Sequence, residues 1–566
     1  MRTKKIKMTS LVLASILLLS ACGQTTNSNT NQTENTSKES VQASDVQVQE
    51  SSEEANVPSY FNETGYPIVN EEITIKVLAL KNASTTDFDN LAKSPAWEYI
   101  SKLTGVKFEF EEYLKADLAT KMPLIMADPD SMPDIFWRVN EADKNISSYA
   151  SQGLFLDLDP YLEYMPNLQA AWESNSTYEY AARSVGGEIY TLPSYAFSYN
   201  PNTFTVNARW MKNCGIESYP TNLDEFKEML IKFRDMDANG NGDPKDEYPM
   251  EGTLDSTMVI LQQSVGILCL NPATGVAYGA DEGSTEVYPV FMDERYRYVV
   301  EYFSELYSEG LVNKDMFTID NAESDARKAA DRYGVGSNKY FVNDYRPLPL
   351  LTSKYLEANK DGMVETAIVA PVNLNDVAMV SANTEYPEVC ARILDYMYSL
   401  DGSALCGVAD PAKYDLKAAG VSAEVLEIID AGYSRTDGKS KPYNISGSYG
   451  PRWMAPFEPY TYTDNFSNDY NKAVYETLTV NYPLKGKVRS NFSNILKFTD
   501  EETEVLAQYR TDIDTLVKEK LTTWITGAEV LSDATWEAYI KQLKAMKVDE
   551  LTAAYQSAYD RMISYQ

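Results

Sequence analysis

Between Ile73 and Trp137 the apolar positions change period four times. Ile73-Thr-Ile-Lys-Val-Leu-Ala-Leu80 is a near-continuous apolar run of strand length, so it predicts a strand buried on both faces. Pro95 to Leu103 has helical spacing, with Gly105 as its stop. Val106, Phe108 and Phe110 then alternate with Lys107, Glu109 and Glu111, the period of a half-buried strand. Leu118 to Met126 predicts a second helix despite Pro123, and Met132-Pro-Asp-Ile-Phe-Trp137 a short strand. Strands alternating with helices imply parallel βα units with helices packed outside the sheet. Ligands of such sheets sit at the carboxyl ends of strands, and Trp137 ends one.

A second block of this kind starts near Tyr190. Pro220 and Thr221 open a helix, with Asp224 three residues after Thr221 in a capping-box pattern and Leu223, Phe226, Leu230 and Phe233 on one face. Glu294 to Ser308 is an amphipathic helix with Gly310 past its end. Thr366 to Val372 reads as strand and Pro387 to Leu400 as helix. Glu501 to Tyr565 is mostly helix, where Trp536, Tyr539, Ile540, Leu543 and Met546 form a stripe. Trp97, Trp524 and Trp536 lie among apolar residues at helical spacing, which assigns them to the core.

The N-terminus breaks these patterns. Arg2, Lys4, Lys5 and Lys7 precede the apolar run Leu11–Leu19, and small residues lead to Cys22. This is an export signal over residues 1–21, too short to remain as a spanning helix. Leu19-Ser-Ala-Cys22 has the form of a lipobox, which makes Cys22 the lipid-attachment residue, palmitate included. Acyl chains at about 0.8 kcal/mol per buried CH₂ would then anchor the chain at the outer face of the cell membrane. Residues 22–70 are rich in Gln, Thr, Asn, Ser and Glu and predict a disordered tether with a reach on the order of 35–40 Å.

Composition narrows the function. The net charge is −33, and removing four basic residues with the signal makes it more negative. Nucleic acid and anionic lipid surfaces are therefore excluded as partners of the folded body. The chain has no histidine. That removes Ser-His-Asp and Cys-His nucleophile arrangements and the usual zinc ligand sets. Carboxylate chemistry survives, so the enzyme alternative is a surface glycosidase with two acids. Cys214, Cys269, Cys390 and Cys406 form no CxxC pair, and buried free thiols are the expected state, with one disulfide as the alternative.

Several stretches in order give the chain a likeness to a known family. They are the lipobox at Cys22, Ser148–Leu158, Gly187-Glu-Ile-Tyr-Thr-Leu-Pro193, and Pro220–Phe226 running into Asp237-Ala-Asn-Gly-Asn-Gly242. Leu306–Val312, Thr511–Leu516 and Trp524-Ile-Thr-Gly527 follow. From about Ile73 to the C-terminus the sequence resembles the extracellular solute-binding proteins (family 1) of bacterial carbohydrate ABC importers. The likeness is to their larger lipoprotein branch, which includes alginate- and oligosaccharide-binding members.

The resemblance implies a two-lobed α/β fold of the type II periplasmic-binding-protein kind, with discontinuous lobes joined by a hinge and a ligand cleft between them. The expected lobes are 71–190 with 370–440, and 191–369 with 441–566. It also implies no chemistry, an oligosaccharide ligand, docking to the transmembrane subunits of an ABC permease, and a monomer held to the membrane by lipid only. Peptide or other-solute binding on the same fold, and a role as an adhesin or sensor partner, remain as alternatives.

Two sets of candidate residues follow. Asp237, Asn239 and Asn241 stand at i, i+2, i+4, Gly240 and Gly242 permit a tight turn, Asp243 offers a carbonyl, and Asp246 and Glu247 close the ring. Alternate positions supplying oxygen are the arrangement that Ca²⁺ requires. The loop is similar to the family's calcium loop, except that the interval holding Pro244 is one residue longer. A second register begins at Asp235, as Asp235, Asp237, Asn239, Gly240 and Asp246, and a metal-free acidic turn is the third reading. The metal role expected is structural. For the sugar, 41 Tyr and 7 Trp supply ring faces for stacking. Position along the chain selects Trp137, Tyr195, Tyr199 and Trp453, with Arg452 as a partner for an acidic sugar or a surface carboxylate.

Overall fold

The computed structural model describes residues 57–565 apart from 82–88, 144, 196–202, 268–273, 282–283, 320, 338–343, 357–365, 369–371, 409–413, 434–448, 461–487 and 491–494. Cys22, Tyr199, Cys269, the signal and the tether up to residue 56 lie outside the described residues, whereas 57–70, expected to be tether, are folded, with Phe61, Ile68 and Val69 buried and Phe61 bridged to Val69.

Thirteen strands are described: β1 (Ile73–Leu80), β2 (Val106–Tyr113), β3 (Ile135–Trp137), β4 (Leu192–Tyr195), β5 (Thr205–Asn207), β6 (Tyr248–Glu251), β7 (Tyr278–Ala280), β8 (Val287–Pro289), β9 (Tyr333–Gly336), β10 (Tyr345–Pro347), β11 (Thr366–Ile368), β12 (Val372–Val380) and β13 (Val488–Ser490). One sheet has the order β2-β1-β3-β12-β4 and a second the order β10-β5-β9-β6. β1 runs parallel to β2 and β3, and β12 is antiparallel to both β3 and β4. The protein is a two-lobed α/β fold, one sheet to each lobe, and Val57–Gln566 forms one compact unit.

The expected elements of the first lobe are present for the reasons their sequence supplies. β1 buries Ile73, Ile75, Val77, Leu78, Ala79 and Leu80 because helices cover both sides of a mostly parallel sheet. The helix Pro95–Thr104 starts on Ser94, whose hydroxyl accepts from the Trp97 amide at 3.4 Å, and ends on Gly105 in the left-handed region (φ 78°). The helix Lys115–Met126 contains Pro123 and buries Leu118, Met122 and Met126. Trp97, Trp524 and Trp536 are in the core as expected. Cys214, Cys390 and Cys406 are buried free thiols.

Three differences from the sequence reading stand out. The helix after Pro220 runs Leu223–Asp235 and is capped by Asn222, whose Oδ1 accepts from the Glu225 amide at 2.9 Å. Glu225 in turn accepts from Thr221 N and Oγ, the residue before the cap, so the Thr221/Asp224 capping box is replaced by a cap at Asn222 with Glu225 holding Thr221. β12 is a nine-residue strand inside the first sheet where the sequence indicated only a strand ending at Val372. β4 pairs with β12, so the first sheet extends to Tyr195, past the expected lobe boundary at 190. Residues near Trp453 also return to that sheet through a parallel bridge to Tyr195, whereas 441 onward was expected to belong to the other lobe.

Candidate functional site

Strand direction locates the cleft. The chain leaves the first sheet at the carboxyl end of β4, Tyr195, and enters the second at the amino end of β5, Thr205. It comes back from Pro347 to Val372, and Val372 pairs with Tyr195. In the second sheet, Thr205 pairs with Gly336 and Pro347, and Gly336 with Glu251. Both connections therefore join the edge of the first sheet holding Trp137 and Tyr195 to the edge of the second holding Thr205, Glu251, Gly336 and Pro347. These are the strand ends at which α/β sheets bind ligands.

On the first edge, two of the four selected aromatics are pillars rather than walls. Trp137 is 1% exposed, packs edge-on against Trp97 (centroids 5.2 Å), and donates its indole N–H to the Tyr449 carbonyl at 2.8 Å. Gly450 lies so close to the indole that a Cβ there would overlap it. Tyr195 is fully buried and stacks on Tyr178 at 4.3 Å. Its hydroxyl accepts from Trp172 Nε1 at 2.7 Å and donates to the Tyr178 carbonyl at 3.1 Å. Burial pushes the Tyr195 phenol far up from its ordinary value. Neither ring shows a face to solvent, which corrects their assignment as sugar-stacking residues. A strand end points to the cleft, but β3 is three residues long and its last side chain is still under the Tyr449–Trp453 segment.

That segment is what sequence reasoning located only in part. Tyr195 N donates to Arg452 O at 2.7 Å, and Met454 N to Tyr195 O at 2.8 Å. Arg452 is buried rather than at the surface: its Nη1 donates to Gly450 O at 2.9 Å, and its guanidinium lies 5.2 Å from the Tyr449 ring centre. Arg138, in the left-handed region at φ 60°, lies 5.8 Å from the same ring and pairs with Glu141 at 2.8 Å. Trp453 alone among the described candidates is half-buried. Its amide donates to Ser403 Oγ at 2.9 Å, while its indole N–H is enclosed with no acceptor. Tyr199 lies outside the described residues.

The facing edge carries hydroxyls. Thr253 Oγ1 and Ser256 Oγ are 2.7 Å apart, and Ser256 Oγ and Ser337 Oγ are also 2.7 Å apart. Gly252 permits this approach, because any Cβ there would collide with Ser337. Thr253 also caps the helix Leu254–Gln263, which directs free backbone N–H groups to the same edge. Nearby Glu251 is 1% exposed, and burial raises its pKa while Arg327 faces it at 3.2 Å. Isolated Ser, Thr and Gly leave no periodic signal, so the sequence reading did not select them.

The acidic loop is at the other end of the second sheet, between the helix Leu223–Asp235 and the amino end of β6. Asp237 accepts three backbone amides, from Gly240 (2.9 Å), Asn241 (3.0 Å) and Gly242 (2.9 Å). Asp246 accepts the side-chain amides of Asn239 (3.1 Å) and Asn241 (3.0 and 3.1 Å). Asp243 accepts from Lys245 N at 3.2 Å. Asn213 and Arg209 bind the carbonyls of Ala238 and Asn239, each at 2.8 Å, and so pin the loop to the helix Ala208–Asn213. Asp235 is occupied by Arg234 at 2.7 and 3.0 Å, which sets it outside the ring of Asp237, Asn239, Asn241 and Asp246. Both carboxylate oxygens of Glu247 are enclosed, with only the backbone amides of Asn239 and of Glu247 itself turned to them; burial raises its pKa, those amides oppose the rise, and Asp246 and Asp237 add to it. Among the described residues no group of three or more His, Cys, Asp or Glu side chains converges as a metal site. The ring here is built half of Asn amides. An enclosed carboxylate with no side-chain partner fits a cation as its partner.

Comparison with known proteins adds an independent line. Residues 82–259 match the family model for bacterial extracellular solute-binding proteins. The chain is 23% identical over 502 residues to the fructooligosaccharide ABC transporter substrate-binding protein FusA of Streptococcus pneumoniae serotype 4, covering 82% of this chain and 86% of FusA. It is 29% identical over 268 residues to lipoprotein LipO of Bacillus subtilis, 46% of this chain and 49% of LipO. Among solved structures, an HMO-binding, ABC-transporter-associated solute-binding protein of Bifidobacterium longum infantis superposes with a TM-score of 0.65 at 20% identity, covering 87% of this chain and 99% of that one. An EF-hand mutant of S. pneumoniae FusA in complex with fructo-nystose gives 0.60 at 18% identity, covering 87% and 100%. At such identities the structures establish the fold.

Proposed function

We propose that this chain works as a bacterial extracellular solute-binding protein, capturing an oligosaccharide between its two lobes and delivering it to an ABC-type importer. The observation that carries the reading is the pair of facing sheet edges, with the enclosed Trp453 indole N–H on one and the Thr253–Ser256–Ser337 hydroxyls on the other. Sugars are held by aromatic faces against C–H-rich ring faces and by polar groups on hydroxyls. A half-buried indole opposite a hydroxyl cluster supplies both kinds of contact. The family and the relatives are binding proteins rather than enzymes, and the chain needs no reacting group to bind and release a sugar.

In this reading Trp453 and Tyr199 contact the ligand, while Trp137 and Tyr195 hold the wall behind Trp453. The lobes close by hinge motion at the two connections between the sheets, and the closed form docks to the permease as a monomer. Cys22 carries the lipid that holds the chain at the outer face of the membrane. Support for the anchor comes from the lipobox and from the likeness to a lipoprotein. Among the described residues no helix is long and apolar enough to cross a membrane.

A calcium ion completes the acidic loop. Asp237, Asn239, Asn241, Asp243, Asp246 and Glu247 would hold it, and bound there it cross-links the loop and neutralises its carboxylates. The loop lies at the end of the second sheet away from the cleft, so this role is structural. The EF-hand of FusA supports the assignment.

Isothermal titration with fructo-oligosaccharides, human-milk-type oligosaccharides and N-glycan fragments tests the function. Saturable binding to one class with no new reducing ends upholds it. Release of reducing ends, or saturable binding only to peptides, refutes it.

A further inference from the structure

The cleft uses the carboxyl ends of the first sheet's parallel strands. Along the helix Pro95–Thr104, between it, the turn at Tyr66–Pro67 and residues 424–432, a separate groove of about 840 Å³ opens. Its walls include Tyr66, Tyr99 and Ile428, and its rim carries Lys102, Glu424 and Glu427. The volume lies within the range of small-ligand sites.

Three features make it a built site. Tyr66 is 46% exposed, yet the turn that carries it is fixed. Arg392 donates to Asn62 O at 2.6 Å and Gly65 O at 3.0 Å, and its guanidinium lies 5.5 Å from the Tyr66 ring centre. Arg392 is not part of the groove wall, so it backs the ring from behind. Tyr396 meets Tyr66 edge-on at 6.0 Å, is 3% exposed, and its hydroxyl has no hydrogen-bond partner. Burial raises the Tyr396 phenol far above its ordinary value, with Asp401, Tyr99 and Tyr66 as its electrostatic neighbours. Tyr396, like Arg392, is not part of the groove wall and holds the Tyr66 ring from behind. Third, the rim sets the charge. Two carboxylates and one ammonium on a chain of net charge −33 disfavour an anionic ligand, while carboxylates accept strongly from hydroxyls.

We propose that this groove is a second saccharide site for neutral sugars, weaker than the cleft and separate from it. Two tyrosine rings with acidic acceptors at their edge match a sugar's apolar faces and its hydroxyls. The inference stands on the groove's own chemistry and survives if the cleft takes another solute. As a solvent-open site on the back of one lobe, it would hold an end of a polymer while the cleft samples shorter chains.

The test is saturation-transfer NMR on the full mature chain with a panel of neutral oligosaccharides of fructose, glucose, galactose, mannose and N-acetylglucosamine. Wild type is compared with Tyr66→Ala, Tyr66→Phe, Glu427→Gln and the cleft variant Trp453→Ala. Signal from at least one sugar should persist in Trp453→Ala, fall threefold or more in Tyr66→Ala, weaken in Glu427→Gln and be restored in Tyr66→Phe. Circular dichroism melting of Tyr66→Ala should match wild type. Absence of any Tyr66-dependent transfer overturns the groove site. Loss of all transfer in Trp453→Ala overturns it too, while leaving the cleft reading in place.

Discussion

Lys497 offers a prediction whose sign and size follow from its surroundings. Its ammonium donates to the carbonyls of Tyr180 (2.7 Å) and Ala181 (3.0 Å), in the last turn of the helix Ser176–Ala182. Its amide donates to the Tyr180 hydroxyl at 3.3 Å, and the Tyr180 ring centre is 5.3 Å from the amine. Among the described residues no ion pair to a carboxylate is formed. Burial, aided by the nearby Arg183, lowers the Lys497 pKa from 10.5 to about 7. The folded chain thus releases this proton near pH 7, whereas the unfolded chain keeps it to about 10.4. Between those values the unfolded state binds more protons, so folding stability rises with pH, at up to about 1.4 kcal/mol per unit. The residue as a whole keeps some solvent contact, which reduces the slope to about 1 kcal/mol per unit. Lys497→Met removes the titration but keeps the apolar stem. Guanidinium unfolding of both proteins at pH 7.5, 8.5 and 9.5 should therefore show wild type gaining about 2 kcal/mol on the variant across the series. Parallel pH profiles would refute the reasoning and place the amine in water.

Asp395 gives the opposite window. Burial raises its carboxyl from 3.8 to about 6, although Leu168 N (2.9 Å) and Asn167 Nδ2 (2.7 Å) donate to it. Its contribution is complete below the unfolded pKa and fades as pH rises through about 6. Wild type should gain on Asp395→Asn by about 1–2 kcal/mol between pH 7 and 4.5, measured by denaturant titration. Calcium at 100 times its Kd should stabilise wild type by about 2.7 kcal/mol, and Glu247→Ala should abolish most of that gain in thermal melts. Gly450→Ala should cost about 1–3 kcal/mol and weaken sugar affinity in calorimetry, because its methyl displaces the Tyr449–Trp453 segment from Trp137. Trp453→Ala should weaken sugar affinity tenfold or more with little change in melting temperature.

How legible was this fold before its coordinates? β1, the helix Pro95–Thr104 and the helix Glu294–Ser308 carry long or sharply bounded apolar patterns, and their extents agree with the sequence reading to within a residue, whereas β3 keeps only Ile135–Trp137 of the expected Met132–Trp137. β12 was largely missed because Asn373, Asn375 and Asp376 interrupt its alternation, and its hold on β3 comes from residues more than 200 positions away. β5, β6, β9 and β10 are three or four residues long, which leaves periodicity nothing to detect. The site shows the same division. The acidic loop declared its spacing, since local chain geometry gathers Asp237, Asn239, Asn241 and Asp246. The cleft edges did not, because Ser337 meets the local pair Thr253 and Ser256 only through tertiary pairing. Trp137 and Tyr195 misled because an aromatic at a strand's end looks the same in sequence whether a later segment covers it or not.

The interior place of β12 bears on when this molecule acquires structure. β3 and β4 are not neighbours; each pairs with β12 between them. A polypeptide emerging amino end first has completed four strands of that sheet by Tyr195 and still lacks the one that joins β4 to the other three. Until Val380 has emerged β4 has no strand to pair with, so this sheet is completed only late in synthesis.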